Sequence, residues 1–159
     1  MSELWKQAKQ DFEPDGALRD IYVQRTNLGD WEELLVFLKE NSPELKFWIG
    51  QQLNPIPASA AAIFERNLIE RSLLQVDWSG VHLNCHFFSE VEIEFDFDPR
   101  EIATAQTFEQ LITFIKQLGQ ALRREVIVTY ENLKEATFLR FDPYTDLVQF
   151  IPSQYFREA

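Results

Sequence analysis

Two stretches of this sequence gather residue types that could do chemistry. The first is Glu90-Val-Glu-Ile-Glu-Phe-Asp-Phe-Asp98, in which carboxylates alternate with apolar side chains. Successive side chains of a strand point to opposite faces. Glu90, Glu92, Glu94, Asp96 and Asp98 are therefore expected on one face, with Val91, Ile93, Phe95 and Phe97 on the other. The rise of a strand sets the like charges about 7 Å apart, so neighbouring strands must supply cations, and Arg140, Arg124 and Lys134 are the candidates. Such a ladder is a solvated face with cross-strand partners, a docking surface for a basic partner, or part of a divalent-metal shell. Carboxylates from one strand rarely close a metal shell alone, so the last needs a base from elsewhere, such as His86.

The second stretch is His82-Leu-Asn-Cys-His86. Histidines at i and i+4 meet on one metal ion when the segment is helical. This segment alternates like a strand, which holds the two rings about 13 Å apart. Both share a face with Asn84, and a strand pairing alongside would set them by the acidic ladder. A histidine beside carboxylates stays charged to higher pH. His82 and His86 thus join Glu90, Glu92, Glu94, Asp96 and Asp98 as candidate partner-binding residues, with structural histidines as the plainer reading.

Other catalytic patterns are absent. The five glycines, at positions 16, 29, 50, 80 and 119, do not form a phosphate loop. There is no G-x-S-x-G elbow and no cysteine pair. Cys85 reads as a small core residue, and no cofactor motif is present. No catalytic or metal-ligating residue is assigned, and the chain reads as non-enzymatic.

These residues must be held by a folded scaffold, and the composition supplies one. The chain has 159 residues, 45% of them hydrophobic, with 14 Phe, which favours burial throughout. The formal net charge is −11, and it is spread evenly: residues 1–80 carry 13 acidic and 8 basic side chains, residues 81–159 carry 13 and 7. That acidity opposes nucleic-acid binding and attachment to an anionic membrane. The longest apolar runs, Leu34 to Leu38 and Ala60 to Phe64, fall far short of the ~20 residues of a span. One cysteine and no apolar leader after Met1 point to a reducing cytoplasm.

Periodicity predicts the elements. A short helix covers Ser2 to Phe12 and a strand Leu18 to Gln24. A helix starts at Asp30, which caps it with Glu33, and runs to about Glu40 on a Trp31, Leu34, Leu35, Leu38 stripe. A strand at Lys46 to Gln51 follows the Asn41–Pro43 turn, and a short helix covers Ala58 to Arg66. Strands at Ile69 to Trp78 and Val81 to Phe88 form a hairpin over Ser79-Gly80. The acidic strand spans Glu90 to Asp98, and a second long helix is capped by Thr107 with Gln110 and runs to about Arg124. Strands at Val126 to Glu131, Phe138 to Phe141 and Leu147 to Ile151 complete the chain.

The two long helices align without gaps at an offset of 77: Trp31-Glu-Glu-Leu-Leu-Val-Phe-Leu-Lys39 on Phe108-Glu-Gln-Leu-Ile-Thr-Phe-Ile-Lys116, four of nine positions identical. Capped amphipathic helices resemble one another in any case; the further reading is an internal β-α-β-β-β duplication with halves 17–88 and 89–152. The fold class expected is α+β: a single domain, an antiparallel-rich sheet with two main amphipathic helices packed on it. In size, acidity and helix-on-sheet pattern the chain is similar to small bacterial accessory or immunity-type proteins. The function expected first is a protein-interaction module docking a basic partner. A small divalent-metal-dependent hydrolase using Glu92, Glu94 or Asp96 with His86 comes second. A homodimer anchored by Tyr155 and Phe156 comes third.

Overall fold

The computed structural model of the chain describes residues 2–41 and 44–152. Tyr155 and Phe156, and most of the expected turn at Asn41 to Pro43, lie outside the described residues. The chain opens with α1 (Glu3–Ala8), capped by Ser2, and a 3-10 turn at Lys9–Phe12. Then come β1 (Arg19–Gln24), α2 (Leu28–Asn41), β2 (Glu44–Ile49), β3 (Gln52–Asn54) and α3 (Ala60–Asn67). Strands β4 (Ser72–Trp78), β5 (Val81–Ser89) and β6 (Glu92–Phe97) follow. A 3-10 turn at Pro99–Glu101 leads into α4 (Ala105–Leu122), and β7 (Val126–Tyr130), β8 (Leu133–Asp142) and β9 (Leu147–Phe150) end the fold.

The described strands form one antiparallel sheet of nine, in the order β3-β2-β4-β5-β6-β1-β7-β8-β9. Its register aligns a row of apolar residues across seven strands: Phe47, Leu74, Cys85, Phe95, Ile21, Val128 and Leu139. Every one is at most 1% exposed. All four helices pack over this face. Phe114 of α4 lies 5.3 Å from Phe95, and Trp31 of α2 lies 5.1 Å from Phe87 and 5.0 Å from Phe64 of α3. Trp5 of α1 lies 5.0 Å from Phe108 of α4. Large rings reach across the layer at low entropy cost, which is how a chain rich in Phe fills its core. Among the described residues no helix lies on the opposite face of the sheet.

The α+β class and the helix-on-sheet layering are as the periodicity predicts. The boundaries differ in instructive places. Both long helices start one turn earlier than expected. Asn27 caps α2: its Oδ1 accepts the Asp30 N–H at 3.0 Å, while Asp30 Oδ2 accepts the Asn27 N–H at 2.9 Å. Thr104 caps α4 in the same reciprocal way with Thr107. The expected caps, Asp30 and Thr107, are in fact the third helical residues of each box, and the offset of 77 holds for the caps too.

Strand boundaries also move: β2 lies two residues earlier than expected, Gln51 falls in the turn to the unexpected short strand β3, and β4 starts at Ser72 rather than Ile69, which is 88% exposed. Glu90 and Val91 form the β5–β6 turn rather than part of the acidic strand, and Val91 is 64% exposed. Strand β8 begins at Leu133, five residues before the expected start. The Ser79-Gly80 turn is as predicted, with both residues at positive φ, 51° and 91°, the geometry a two-residue hairpin requires. The two halves lay down their strands in opposite senses. From β1 the chain crosses to β2 near one edge and meanders inward to β5, with β3 and α3 interposed. From β6 it crosses to β7 and meanders outward to β9.

A candidate docking face

The acidic strand sits near the middle of the sheet, between β5 and β1, so its open-face side chains have neighbours on both flanks. Glu94 pairs with His86 of β5 and Tyr22 of β1; Asp96 pairs with Asn84 and Asp20; Glu92 pairs with Ser89 and Gln24. Farther along the same rows the open face carries Leu73 and Trp48 on one side and Ile127 and Arg140 on the other. Carboxylates on this face are Asp20, Glu44, Asp77, Glu92, Glu94 and Asp96, against the cations Lys46, Lys134 and Arg140 and the two histidines.

The centre is a hydrogen-bonded network. His86 Nε2 lies 2.6 Å from Asp96 Oδ2, and Asn84 Nδ2 donates to Asp96 Oδ1 at 2.9 Å. Tyr22 donates its hydroxyl to Asp20 Oδ2 at 2.9 Å, and that oxygen also accepts the Asn132 N–H at 2.7 Å. Asp20 is 3% exposed; burial raises its carboxyl above the ordinary range, and its two hydrogen bonds offset only part of this. Burial likewise raises Glu94, against a hydrogen bond from Tyr22. Tyr22, buried between these two acids, is held far above the usual phenol range. Burial alone would lower the His86 imidazole, yet the bond to Asp96 and the charges of Asp96, Glu94 and Asp20 leave it raised.

Strand β8 explains how Asp20 and Tyr22 are buried on a face without helices. Its pairing with β7 slips twice, between Val128 and Thr129 and between Thr129 and Tyr130, and slips of this kind bend a strand and sharpen its twist. Lys134 then reaches Glu92, with Nζ–Oε2 at 2.5 Å, and lies 4.9 Å over the Tyr22 ring. Glu92 is on β6, with β1 and β7 between it and β8. Strands stand about 4.8 Å apart, so a lysine spans that gap only if the start of β8 curls over the sheet.

Of the seven candidate residues, four lie together: Glu92, Glu94, Asp96 and His86. His82 is nearer the other end of β5, with Nδ1 2.6 Å from Glu101 Oε1 and Nε2 3.9 Å from Asp77; the bond to Glu101 raises its imidazole. A shallow cleft of about 240 Å³ opens there, lined by Glu44, Asp77, His82, Asp98 and Glu101 among others. Glu90 leaves the ladder for the turn, where its carbonyl accepts the Thr26 hydroxyl at 2.7 Å and Trp31 Nε1 at 3.0 Å. Asp98 leaves it at the other end, capping the 3-10 turn and binding Arg100, whose hydrogen bond lowers its carboxyl. Of the three expected cations only Lys134 meets the ladder; Arg124 pairs with Asp30 and Arg140 with Glu125.

Asp20 and Tyr22 belong to the site and were not singled out by sequence. Their alternation in β1 was legible, but that β1 lies beside β6 is not encoded locally. Cys85 is fully buried in the core row, and burial holds its thiol well above the ordinary range, which suits packing and not nucleophilic attack. Among the described residues no three His, Cys, Asp or Glu side chains are placed to hold a metal ion. No helix among them is long and apolar enough to cross a membrane.

No family model and no curated protein matches the chain. A solved structure is similar at 13% identity, over 78% of this chain and 94% of its own, with a TM-score of 0.49: a chain of the 1.75 Å crystal structure of the toxic C-terminal tip of CdiA from Pseudomonas aeruginosa in complex with immune protein. A likeness that loose carries no functional argument.

Proposed function

We propose that the chain is a non-enzymatic protein-interaction module, of an accessory or immunity-like kind, that docks a basic protein on the open face of its sheet. The observation behind this reading is a sheet face on which no described helix packs. Four helices cover one side of the sheet, while the other presents Glu92, Glu94 and Asp96 beside His86. Apolar side chains adjoin the acids: Leu73 and Trp48 on the neighbouring strands, and Phe88, 57% exposed and stacked on His86 at 4.9 Å. Aromatic anchors beside complementary charge are the usual make-up of a binding hot spot. The cleft near Glu101 and Asp77 would take a lysine or arginine side chain of the partner.

The test is affinity capture from source-cell extract at low salt, using wild type and a Glu92→Gln, Glu94→Gln, Asp96→Asn variant. The amides keep an oxygen that can accept from Asn84 and Tyr22 while removing the charge, and circular dichroism confirms folding. A positively charged protein retained by wild type and lost by the variant supports the reading. Equal retention by both, or a retained partner without basic character, overturns it.

A further inference from the structure

At the Gln24 end of the sheet, away from the Glu101 cleft, a cleft of about 610 Å³ opens between the end of β1, the β5–β6 turn and the segment after α4. Three arginines, Arg25, Arg123 and Arg124, and two glutamates, Glu92 and Glu125, line it. Most of these charges are already matched. Glu92 is held by Lys134, Glu125 by Arg140, and Arg124 by Asp30. What remains is Arg25 and Arg123, whose side chains have no ion pair, hydrogen bond or ring contact among the described residues. In a chain with 26 acidic and 15 basic side chains, two arginines that border one cleft and have no side-chain partner among the described residues are out of keeping with the surface around them.

Their backbones are also unusual. Arg25 has φ 59° and Arg123 φ 54°, the left-handed region where glycine or asparagine is the cheap choice. Arg123 stands at the end of α4, where its N–H and that of Arg124 both close onto the Gly119 carbonyl, a position that glycine commonly fills. Local strain at two positions bordering one cleft is a pointer to ligand binding when chemistry accompanies it. Here the chemistry is two forks of N–H donors that suit phosphate or carboxylate oxygens.

The remaining wall is Gln24, Val91 and the edges of Tyr22 and Ile127, and of its apolar residues only Val91, 64% exposed, is open to a ligand. We infer that this cleft binds a small phosphomonoester, its dianion taken by Arg25 and Arg123 and its organic group lying on Val91. The site borders the docking face through Glu92 and Tyr22, but its two arginines take no part in the docking reading.

Isothermal titration with inorganic phosphate and with phenyl phosphate, at ionic strength held constant with NaCl, tests this on the full chain. An Arg25→Gly, Arg123→Gly variant removes both guanidiniums and relieves the backbone, so it folds at least as well as wild type. Phenyl phosphate should bind wild type more tightly than inorganic phosphate. The double variant should weaken both by at least ~10-fold, since two charge-assisted hydrogen-bonding groups are lost. Val91→Ser should weaken phenyl phosphate alone. No binding of either compound at millimolar concentration, or affinity unchanged in the double variant, overturns the site; equal affinity for the two compounds overturns the organic half of it.

Discussion

Glu94 is flanked by Tyr22 on one strand and His86 on the other, and its protonation links the whole network. Asp20, Glu94 and His86 are all raised in the folded protein. A raised group binds its proton more tightly when folded, so its stabilising contribution is complete below the unfolded pKa and is lost as pH rises through the folded one. For the two carboxylates that loss begins near pH 4 and continues above the ordinary carboxylate range; for His86 it begins near pH 6.5. Thermal melts of wild type should therefore show these groups lowering stability between pH 4 and pH 8. Glu94→Gln removes one titration while keeping the side chain's shape and an oxygen acceptor. Its melting temperature should match wild type at pH 4 and exceed it at pH 8, by about 2–4 °C for each kcal/mol recovered. A wild-type and variant pair that stay parallel across that range would show that Glu94 titrates as it does in water.

The helices show what the sequence discloses and what it conceals. Their apolar stripes were legible because burial on one face imposes a 3.6-residue period. Their starts were misplaced because the capping pattern is degenerate: Asp30 with Glu33 satisfies it as well as Asn27 with Asp30, and only tertiary contacts choose. The deciding contact is Arg124, whose Nε donates to Asp30 Oδ2 at 3.0 Å and ties the end of α4 to the start of α2. Asp30→Ala should cost about 1–3 kcal/mol, more than an isolated cap, because the box and the ion pair go together. A double-mutant cycle with Arg124→Ala, followed by urea unfolding, should return a coupling of about 1 kcal/mol; strict additivity would mean the pair is ornamental. Gly119 poses a cleaner question. Helix propensity alone predicts that Gly119→Ala stabilises α4 by about 1 kcal/mol. In the fold a Cβ at Gly119 would overlap the Phe141 ring, and overpacking of this kind costs about 1–3 kcal/mol. The substitution should therefore destabilise, and a rise in melting temperature would show that Phe141 moves aside at little cost. Strand order was the part no local pattern held. Asp20 and Asp96 face each other across two strands far apart in the chain, and only the packed sheet brings them together.

Across the whole molecule the net charge of −11 acts with the open face and not separately from it. A field of one sign steers an oppositely charged partner before contact, raising the association rate more than the final affinity. Screening at physiological ionic strength shortens its reach to about 8 Å, so the rate for a basic partner should fall steeply between low and physiological salt while dissociation changes little. The titrations in the network set a second dependence with a definite sign. Raising pH discharges His82 and His86 and ionises Glu94 and Asp20, because all four groups hold their protons above ordinary values. Each of these events makes the face more negative. Stopped-flow association at fixed ionic strength should then quicken from pH 5.5 to pH 8 for a partner whose own charge is carried by lysine and arginine. His86→Gln should flatten the upper part of that profile, leaving the salt dependence intact, because the net charge that steers the encounter is spread over the whole chain. A rate that slows with rising pH would place the partner on another surface, and a rate indifferent to both pH and salt would remove electrostatic steering from the account altogether.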